Sequence, residues 1–313
     1  MAYTTINKHT AHFNTKLYTG NGGSQSITGV GFQPDWIWIK KRNGAADSSI
    51  MDAVRGVRKS LTSNNSEVEY TESAGLSSFD SDGFSFDGAG FDHVNTSGDS
   101  FVAWNWKAGN SAGSSNTDGS ITSTVSANTT AGFSIVKWTG DSSASATVGH
   151  GLGTIPAVII TKELNGADYW HVWHKDLTNP NNMFLNTNLA EQAPSDGTLS
   201  NVGSSTFGFQ GATNVIAVNE NGIDNIGYCF AEKKGFSKFG SYTGNGSTDG
   251  TFVYTGFKPA FILLKKLSDT ANWMIHDDKR LGYNVDNNNL KPNSSAVEAT
   301  ADTLDILSNG FKL

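Results

Sequence analysis

The chain has 313 residues, of which 37% are apolar, 16% are charged and 35 are glycine. This length suits roughly two or three modest domains, and the apolar content is enough for buried cores. The net charge of −7 excludes the basic face with which proteins contact nucleic acid or an anionic membrane. The single cysteine, Cys229, excludes an internal disulfide framework.

Residues 1–12 are polar and unpatterned, so they are predicted to form an arm that attaches the chain to something else, or a disordered terminus. They contain no apolar signal-peptide core, and no later stretch is long enough to span a membrane. We therefore expect a protein made in a cytosol, without membrane insertion, that leaves the cell by lysis or inside a larger particle.

One pattern then occurs three times, beginning at Tyr18, Trp138 and Tyr242. Each copy has an aromatic residue with Thr-Gly, a Gly/Ser-rich turn, an alternating run, a Gly turn, a proline and an apolar run. The apolar runs are residues 36–39, 158–160 and 261–264. A strand that is apolar on both faces must be covered on both sides, so these runs are predicted to be central strands of layered sheets.

Further strands follow each apolar run. Residues 49–61 fit either a helix or a strand, and alignment with residues 170–174 and 273–276 favours a strand. Asp82-Gly83 and Asn309-Gly310 are hairpin-turn dipeptides between apolar runs. Residues 100–107 then close the first module, and residues 226–231 close the second.

These patterns predict an all-β chain of tandem antiparallel β-sandwich modules, jelly-roll or concanavalin-like. The predicted divisions are an arm at 1–12, module 1 at 13–108, a flexible linker at 109–118, module 2 at 119–234 and an incomplete module 3 at 235–313. Module 3 lacks the closing strand of the other two, which leaves an open sheet edge. Either another chain supplies that strand or the sequence is part of a longer protein, and we favour the second interpretation.

Motifs for catalysis or metal binding are weak. The glycine-rich residues 149–153 precede a proline and a strand, so a turn is favoured over a phosphate loop. Asp80, Asp82 and Asp87 match a calcium loop only in part and fit a hairpin better. We predict no catalytic residues, no metal and no cofactor.

Three residues are candidates for ligand binding: Trp170, His171 and Trp173. His171 and His174 are three apart and would face opposite sides of a strand, so they cannot share one metal ion. An exposed Trp173 with His171 could stack on a sugar ring, and Trp170 is a second candidate exposed aromatic. Ordinary packing of these rings in a sandwich core is the favoured alternative.

The combination of residues 18–42, the Val-Arg-Gly at 54–56, residues 77–86 and residues 94–109 resembles an uncharacterised domain of tailed-phage structural proteins, common among marine phages. Residues 132–140 with 147–162 resemble the repeat that usually follows it. The resemblance covers nearly the whole chain from Phe13. It implies a concanavalin-like or SPRY-like β-sandwich in a virion fibre or appendage, and it supplies no catalytic motif.

We therefore expect a non-enzymatic phage virion protein, such as a tail fibre, spike or appendage, that contacts the host surface. The alternatives are a head-decoration or spacer protein without receptor binding, and a glycan-binding or depolymerising tail protein. Expected partners are other virion proteins, further copies of the chain, with a trimer as the fibre-like case, and a host surface glycan or protein. The expected location is the virion, assembled in the host cytoplasm.

Overall fold

The computed structural model describes residues 4–88, 94–178, 180–193, 197–211, 217–280, 288–300 and 304–313. The fold is all-β and antiparallel, as predicted, and is consistent with the β-sandwich class. The one helical element among these residues is a 3-10 turn at His9–Ala11, within the predicted arm. None of the described helices is long and apolar enough to cross a membrane.

Module 1 consists of two antiparallel sheets that enclose an apolar core. Its strands are β1 (Phe13–Thr19), β2 (Ser24–Thr28), β3 (Trp36–Lys41), β4 (Ser48–Asp52), β5 (Lys59–Thr62), β6 (Tyr70–Thr71), β7 (Leu76–Asp80), β8 (Gly83–Asp87) and β9 (Ser100–Trp106). The larger sheet has the order β1-β9-β3-β4-β5-β6, and the smaller sheet has the order β2-β8-β7. The Asp82-Gly83 hairpin is confirmed between β7 and β8.

Module 2 repeats this plan. Its strands are β10 (Ser114–Asn116), β11 (Ser123–Asn128), β12 (Phe133–Thr139), β13 (Thr147–Gly149), β14 (Val158–Glu163), β15 (His171–His174), β16 (Met183–Phe184), β17 (Thr198–Ser200), β18 (Thr206–Gln210) and β19 (Asp224–Phe230). The larger sheet is β10-β11-β12-β19-β14-β15-β16, and the smaller sheet is β13-β18-β17. The prediction of a flexible linker at 109–118 was wrong in part. Residues 114–116 form β10, which pairs with β11.

Module 3 has shorter strands in three small sheets. They are β20 (Phe252–Tyr254), β21 (Phe261–Leu264), β22 (Met274–Asp277), β23 (Asn288–Asn289), β24 (Ala299–Thr300), β25 (Asp305–Leu307) and β26 (Gly310–Lys312). The sheets are β20-β26-β25, β21-β22 and β23-β24. The Asn309-Gly310 turn joins β25 to β26, as predicted.

The central strands β3 and β14 are buried on both faces, and the sequence did not reveal what covers the second face. Their inner face packs against the smaller sheet of their own module. Their outer face packs in a second core that draws on all three modules. In this shared core, Trp36 of β3 packs against Tyr228 of β19, with ring centroids 4.7 Å apart. Phe261 of β21 packs in the same way against Trp104 of β9, at 5.8 Å.

Backbone hydrogen bonds join the modules in a closed cycle. The amide of Glu69 in module 1 donates to the carbonyl of Leu164 in module 2, at 2.7 Å. Glu191 of module 2 donates to Leu267 of module 3, and Glu298 of module 3 donates to Arg42 of module 1, at 3.0 and 3.1 Å respectively. We call this arrangement the module ring. One chain thus reproduces the repeated contact by which cyclic oligomers close.

Candidate functional site

The three predicted ligand-binding residues lie on and beside β15, but they do not form one surface. Trp170 is fully buried, and its indole N–H donates to the carbonyl of Thr62 in module 1, at 2.9 Å. It packs in the shared core, whereas Trp173 is partly buried and packs against the inner core of module 2. The two rings therefore face opposite sides of the strand, as side chains three positions apart must. The expectation that Trp170 would be exposed was wrong, because module 1 covers that face.

His171 is held by two neighbours. Its Nε2 lies 3.2 Å from a carboxylate oxygen of Asp168, and its Nδ1 lies 3.0 Å from the amide nitrogen of Asn182. The ring also meets Phe184 edge-on, at 5.1 Å between centroids. These contacts hold the His171 ring in place within module 2, so its role there is structural. Ligand binding by Trp170, His171 and Trp173 stays a prediction.

The carboxylates of the acidic hairpin in module 1 also accept hydrogen bonds from within the module. Both carboxylate oxygens of Asp82 accept backbone hydrogen bonds, from Gly29 and Gly31. Asp80 accepts hydrogen bonds from the hydroxyl groups of Ser78 and Ser85. Across the part of the chain that the structure describes, no group of three or more His, Cys, Asp or Glu side chains is arranged to hold a metal ion.

The chemically richest sites are instead the junctions between modules. Asp52, at the end of β4, forms a buried ion pair with Arg55. The guanidinium of Arg55 also donates to the carbonyl of Ile50 at 2.9 Å, and it lies 3.3 Å from a carboxylate oxygen of Glu69. The same carboxylate oxygen of Asp52 that pairs with Arg55 accepts the hydroxyl of Tyr228 in module 2, at 2.8 Å.

Module 3 repeats this junction with module 1. Arg280 donates to Asp277 at 2.7 Å, to the carbonyl of Ile275 at 2.8 Å and to Glu298 at 3.1 Å. Here the indole N–H of Trp104 replaces the tyrosine hydroxyl and donates to Asp277 at 2.9 Å. We call these two sites the Asp–Arg junctions. In each junction, the buried carboxylate accepts charge-assisted hydrogen bonds from the arginine and from an aromatic residue of the neighbouring module.

The carboxyl group of Asp277, in the module 3 junction, is kept ionised by Arg280 and Trp104. Burial acts to raise the pKa of Asp277, but the charge of Arg280 and the hydrogen bonds from Arg280 and Trp104 outweigh it. The net effect is a lowered pKa, so Asp277 is ionised at neutral pH. The junctions therefore consist of paired charges inside a largely apolar interface, and this arrangement requires an exact fit between modules.

A family model described as "Domain of unknown function (DUF7483)" matches residues 8–313. The chain belongs to this family. No curated protein and no solved structure gives a significant match. The matched range includes all three modules and both Asp–Arg junctions, so the family is defined over the whole module ring.

A second concentration of ionisable groups lies at the end of β14 in module 2. Burial raises the pKa of Glu163 to about 7. The negative charges of Asp168 and Glu220 also raise this pKa, whereas the positive charge of Lys162 lowers it. Burial also lowers the pKa of Lys162 to about 8. The ammonium group of Lys162 donates to the carbonyls of Glu163 and Gly166, at 2.8 and 3.1 Å. This end of the strand therefore changes charge near neutral pH.

Replacing Glu163 by glutamine should remove part of that pH dependence. Because its pKa in the folded chain is about 7, against roughly 4.3 when unfolded, ionisation of Glu163 destabilises the fold as the pH rises through this interval. Glu163→Gln should therefore match the parent near pH 4. It should exceed the parent by about 1–2 kcal/mol in free energy of unfolding near pH 8, after allowance for solvent screening. Urea titrations at both pH values measure the difference.

The matched control for this experiment is Glu67→Gln, which makes the same chemical change at an exposed position of module 1. Its difference from the parent should be small at both pH values, because surface substitutions usually change stability little. Equal stability of Glu163→Gln and the parent at pH 8 would show that the carboxyl of Glu163 is solvated in the folded chain.

The junction residues were missed at the level of sequence, although a signal was present. Asp52 and Arg55 recur as Asp277 and Arg280, with the same spacing and at the same position after the second strand of the repeat. A recurrent acid–base pair at the end of a buried strand indicates an interior ion pair, since isolated charges are rarely buried. The corresponding region of module 2 has His174 and Leu177 instead.

Proposed function

We propose that the chain is a non-enzymatic structural protein of a tailed-phage virion, part of a tail fibre, spike or appendage that contacts the host surface. The observation that carries this proposal is the module ring. Three β modules share one core, and buried ion pairs fix two of their junctions. A rigid body of this kind suits a protein that transmits load or presents loops in fixed positions. The sequence resemblance to tailed-phage structural proteins supports the same proposal.

The buried charged groups at the module junctions support a structural role over catalysis. Asp52, Arg55, Asp277 and Arg280 are all occupied by contacts within or between modules. Their side chains hold the ring together rather than face a substrate. The proposed partners are other virion proteins, further copies of the chain in an oligomer such as a trimer, and a host surface glycan or protein. Many weak contacts displayed on one particle would add to a firm attachment.

Immunogold labelling of purified virions with antibodies against the recombinant chain tests the virion location. Label is expected at a defined place on the tail. Label confined to the capsid would favour the head-decoration alternative, and virions without the protein would refute the proposal. A matched preparation treated with pre-immune serum gives the background.

A competition experiment then separates host attachment from a purely structural spacer, which the rigid ring fits equally well. Host cells are incubated with an excess of purified chain before the virions are added. A receptor-binding protein should reduce the adsorption rate several-fold, whereas bovine serum albumin at the same concentration should not. Unchanged adsorption, together with no binding of the labelled chain to cells, would favour the spacer.

A further inference from the structure

Glu163, the last residue of β14, has a buried carboxyl group beside a second unsatisfied acceptor. Glu163 is 5% exposed, and its Oε1 has no hydrogen-bond partner among the described residues. Asn225 lies directly opposite on β19, and its Oδ1 is buried without a partner as well. Side chains at opposite positions of antiparallel strands are close neighbours. Two buried acceptors side by side suit a protonated carboxyl, because only that form carries a donor of its own.

The groups around Glu163 also favour its protonated form. Burial is the main cause that raises its pKa to about 7, and the charges of Asp168 and Glu220 raise it further. Lys162 opposes them, but its ammonium group donates to the backbone carbonyls of Glu163 and Gly166. Other charged groups of the adjoining elements contact one another: His171 with Asp168, Lys137 with Asp224, and Arg55 and Lys59 with Glu69 of module 1. Ionised Glu163 is therefore poorly compensated in the closed structure.

The turn that follows Glu163 carries the contact between modules 1 and 2. The carbonyl of Leu164 accepts the amide of Glu69 at 2.7 Å, and the side chain of Leu164 packs in the shared core. The carboxyl group of Glu163 lies against the same turn, since a Cβ added at Gly166 would collide with its Oε2. A carboxylate that moved toward water would therefore displace this turn, and with it the carbonyl of Leu164.

The other two modules have a lysine at the position of Glu163. Lys41 ends β3 and Lys266 lies just after β21, and each forms an ion pair with a nearby aspartate. The residues that follow them, Arg42 and Leu267, provide the carbonyls that accept the other two hydrogen bonds of the module ring. All three junctions thus share one backbone contact, but module 2 places a buried carboxyl beside it where the others place a paired lysine.

We propose that ionisation of Glu163 opens the junction between modules 1 and 2, while the other two junctions of the module ring stay closed. In the closed state Glu163 is protonated, and Leu164 keeps its hydrogen bond from Glu69. In the open state the carboxylate is hydrated, and the turn has moved with it. The inference rests on the fold and stands independently of the proposed function.

The pH range of the opening follows from the two states of the carboxyl group. The pKa of Glu163 is about 7 in the folded chain, against roughly 4.3 when it is hydrated. A raised pKa stabilises the closed state fully below about pH 4, and this stabilisation is lost as the pH rises to about 7. The junction is therefore expected to be closed in mildly acidic solution and to open more often at pH 8.

Hydrogen exchange of three equivalent backbone amides in the full chain tests the proposal. Glu69, Glu191 and Glu298 each donate to the next module, so the last two are internal controls for the first. Between pH 5 and pH 8 the protection factor of the Glu69 amide should fall at least about tenfold, after allowance for solvent screening. The protection factors of Glu191 and Glu298 should stay nearly constant, because their junctions open independently.

Two indole N–H groups give a second matched pair. Trp170 donates to Thr62 across the junction of modules 1 and 2, and Trp273 donates to Phe184 across the junction of modules 2 and 3. Over the same pH range, the protection factor of the Trp170 indole should fall relative to that of Trp273. Equal changes in the two indoles would contradict an opening confined to one junction.

Two variants assign the effect to Glu163. Glu163→Gln keeps a side-chain donor and cannot ionise, so the protection of Glu69 should become independent of pH. Glu220→Gln removes, at an exposed position, one of the charges that raise the pKa of Glu163. The loss of protection at Glu69 should then be complete at a lower pH, which gives a second readout if Glu163→Gln does not fold.

Three results would overturn the proposal. The first is a parallel loss of protection at all three junction amides, which would show that the whole ring loosens together. The second is a protection factor of the Glu69 amide that does not change between pH 5 and pH 8. The third is a pH dependence at Glu69 that persists in Glu163→Gln, since another group would then control the junction.

Discussion

Replacing Asp52 by alanine should lower the free energy of unfolding by about 3–5 kcal/mol, because it leaves a buried arginine without its partner. The side chains of Asp52 and Arg55 are 0% and 1% exposed, so water cannot replace the lost carboxylate. The hydroxyl of Tyr228, which donates to Asp52 from module 2, loses its acceptor as well. The substitution therefore weakens module 1 and its junction with module 2 together. Urea unfolding followed by tryptophan fluorescence measures the loss.

Asp99→Ala is the matched control in the same module. It removes a carboxylate from an ion pair with Lys41, in which both side chains are 18% exposed. Its cost should be no more than about 1 kcal/mol, as for other ion pairs near the surface. Similar losses for Asp52→Ala and Asp99→Ala would show that the junction is solvated and does not stabilise the ring.

A double variant separates the unpaired charge from the loss of packing. Asp52→Asn with Arg55→Leu keeps an acceptor for Tyr228 and removes both charges. Module 2 already carries a leucine, Leu177, in the region that corresponds to Arg55. The double variant should therefore be more stable than Asp52→Ala alone, since replacing both partners of a buried pair costs far less than removing one.

Local sequence patterns predicted the elements of each module well. Glycine after Asp82 and Asn309 marked two hairpins, because such dipeptides adopt the turns that join antiparallel strands. Proline before the apolar runs marked the entry of each central strand, where no ladder hydrogen bond is needed. Alignment of the repeats resolved the ambiguous residues 49–61 in favour of strands, and β4 (Ser48–Asp52) and β5 (Lys59–Thr62) lie there.

The module ring could not be predicted in the same way. A strand that is apolar on both faces must be covered twice, but the pattern does not say whether the second cover is a helix, a sheet or another module. Trp170 illustrates this limit, since an outward tryptophan has the same sequence context whether it meets water or Thr62 of module 1. The hydrogen bond between Tyr228 and Asp52 spans 176 residues, and no local pattern specifies such a contact.

Removing the ring of Trp36 should test whether the shared core makes the modules unfold as one unit. Trp36 is 1% exposed, and its ring lies 4.4 Å from that of Trp106 and 4.7 Å from that of Tyr228 in module 2. Trp36→Ala should cost about 3–5 kcal/mol, the usual range for truncating a large buried aromatic residue. Because the ring lies between two modules, we also expect faster proteolysis in the segment that joins them.

The control for Trp36→Ala is Tyr254→Ala, which removes an aromatic ring that is 58% exposed and should change stability by about 0.5 kcal/mol or less. The stability cost of Trp36→Phe should lie between those of the other two variants, since it keeps an aromatic ring of smaller volume at the junction.

If the core couples the modules, Trp36→Ala should shift the unfolding transitions of modules 1 and 2 together. Hydrogen exchange of β3 and β14 then reports both modules in one experiment. Loss of protection in β3 with β14 unchanged would mean that the modules are stabilised separately and that the shared core contributes little to cooperativity.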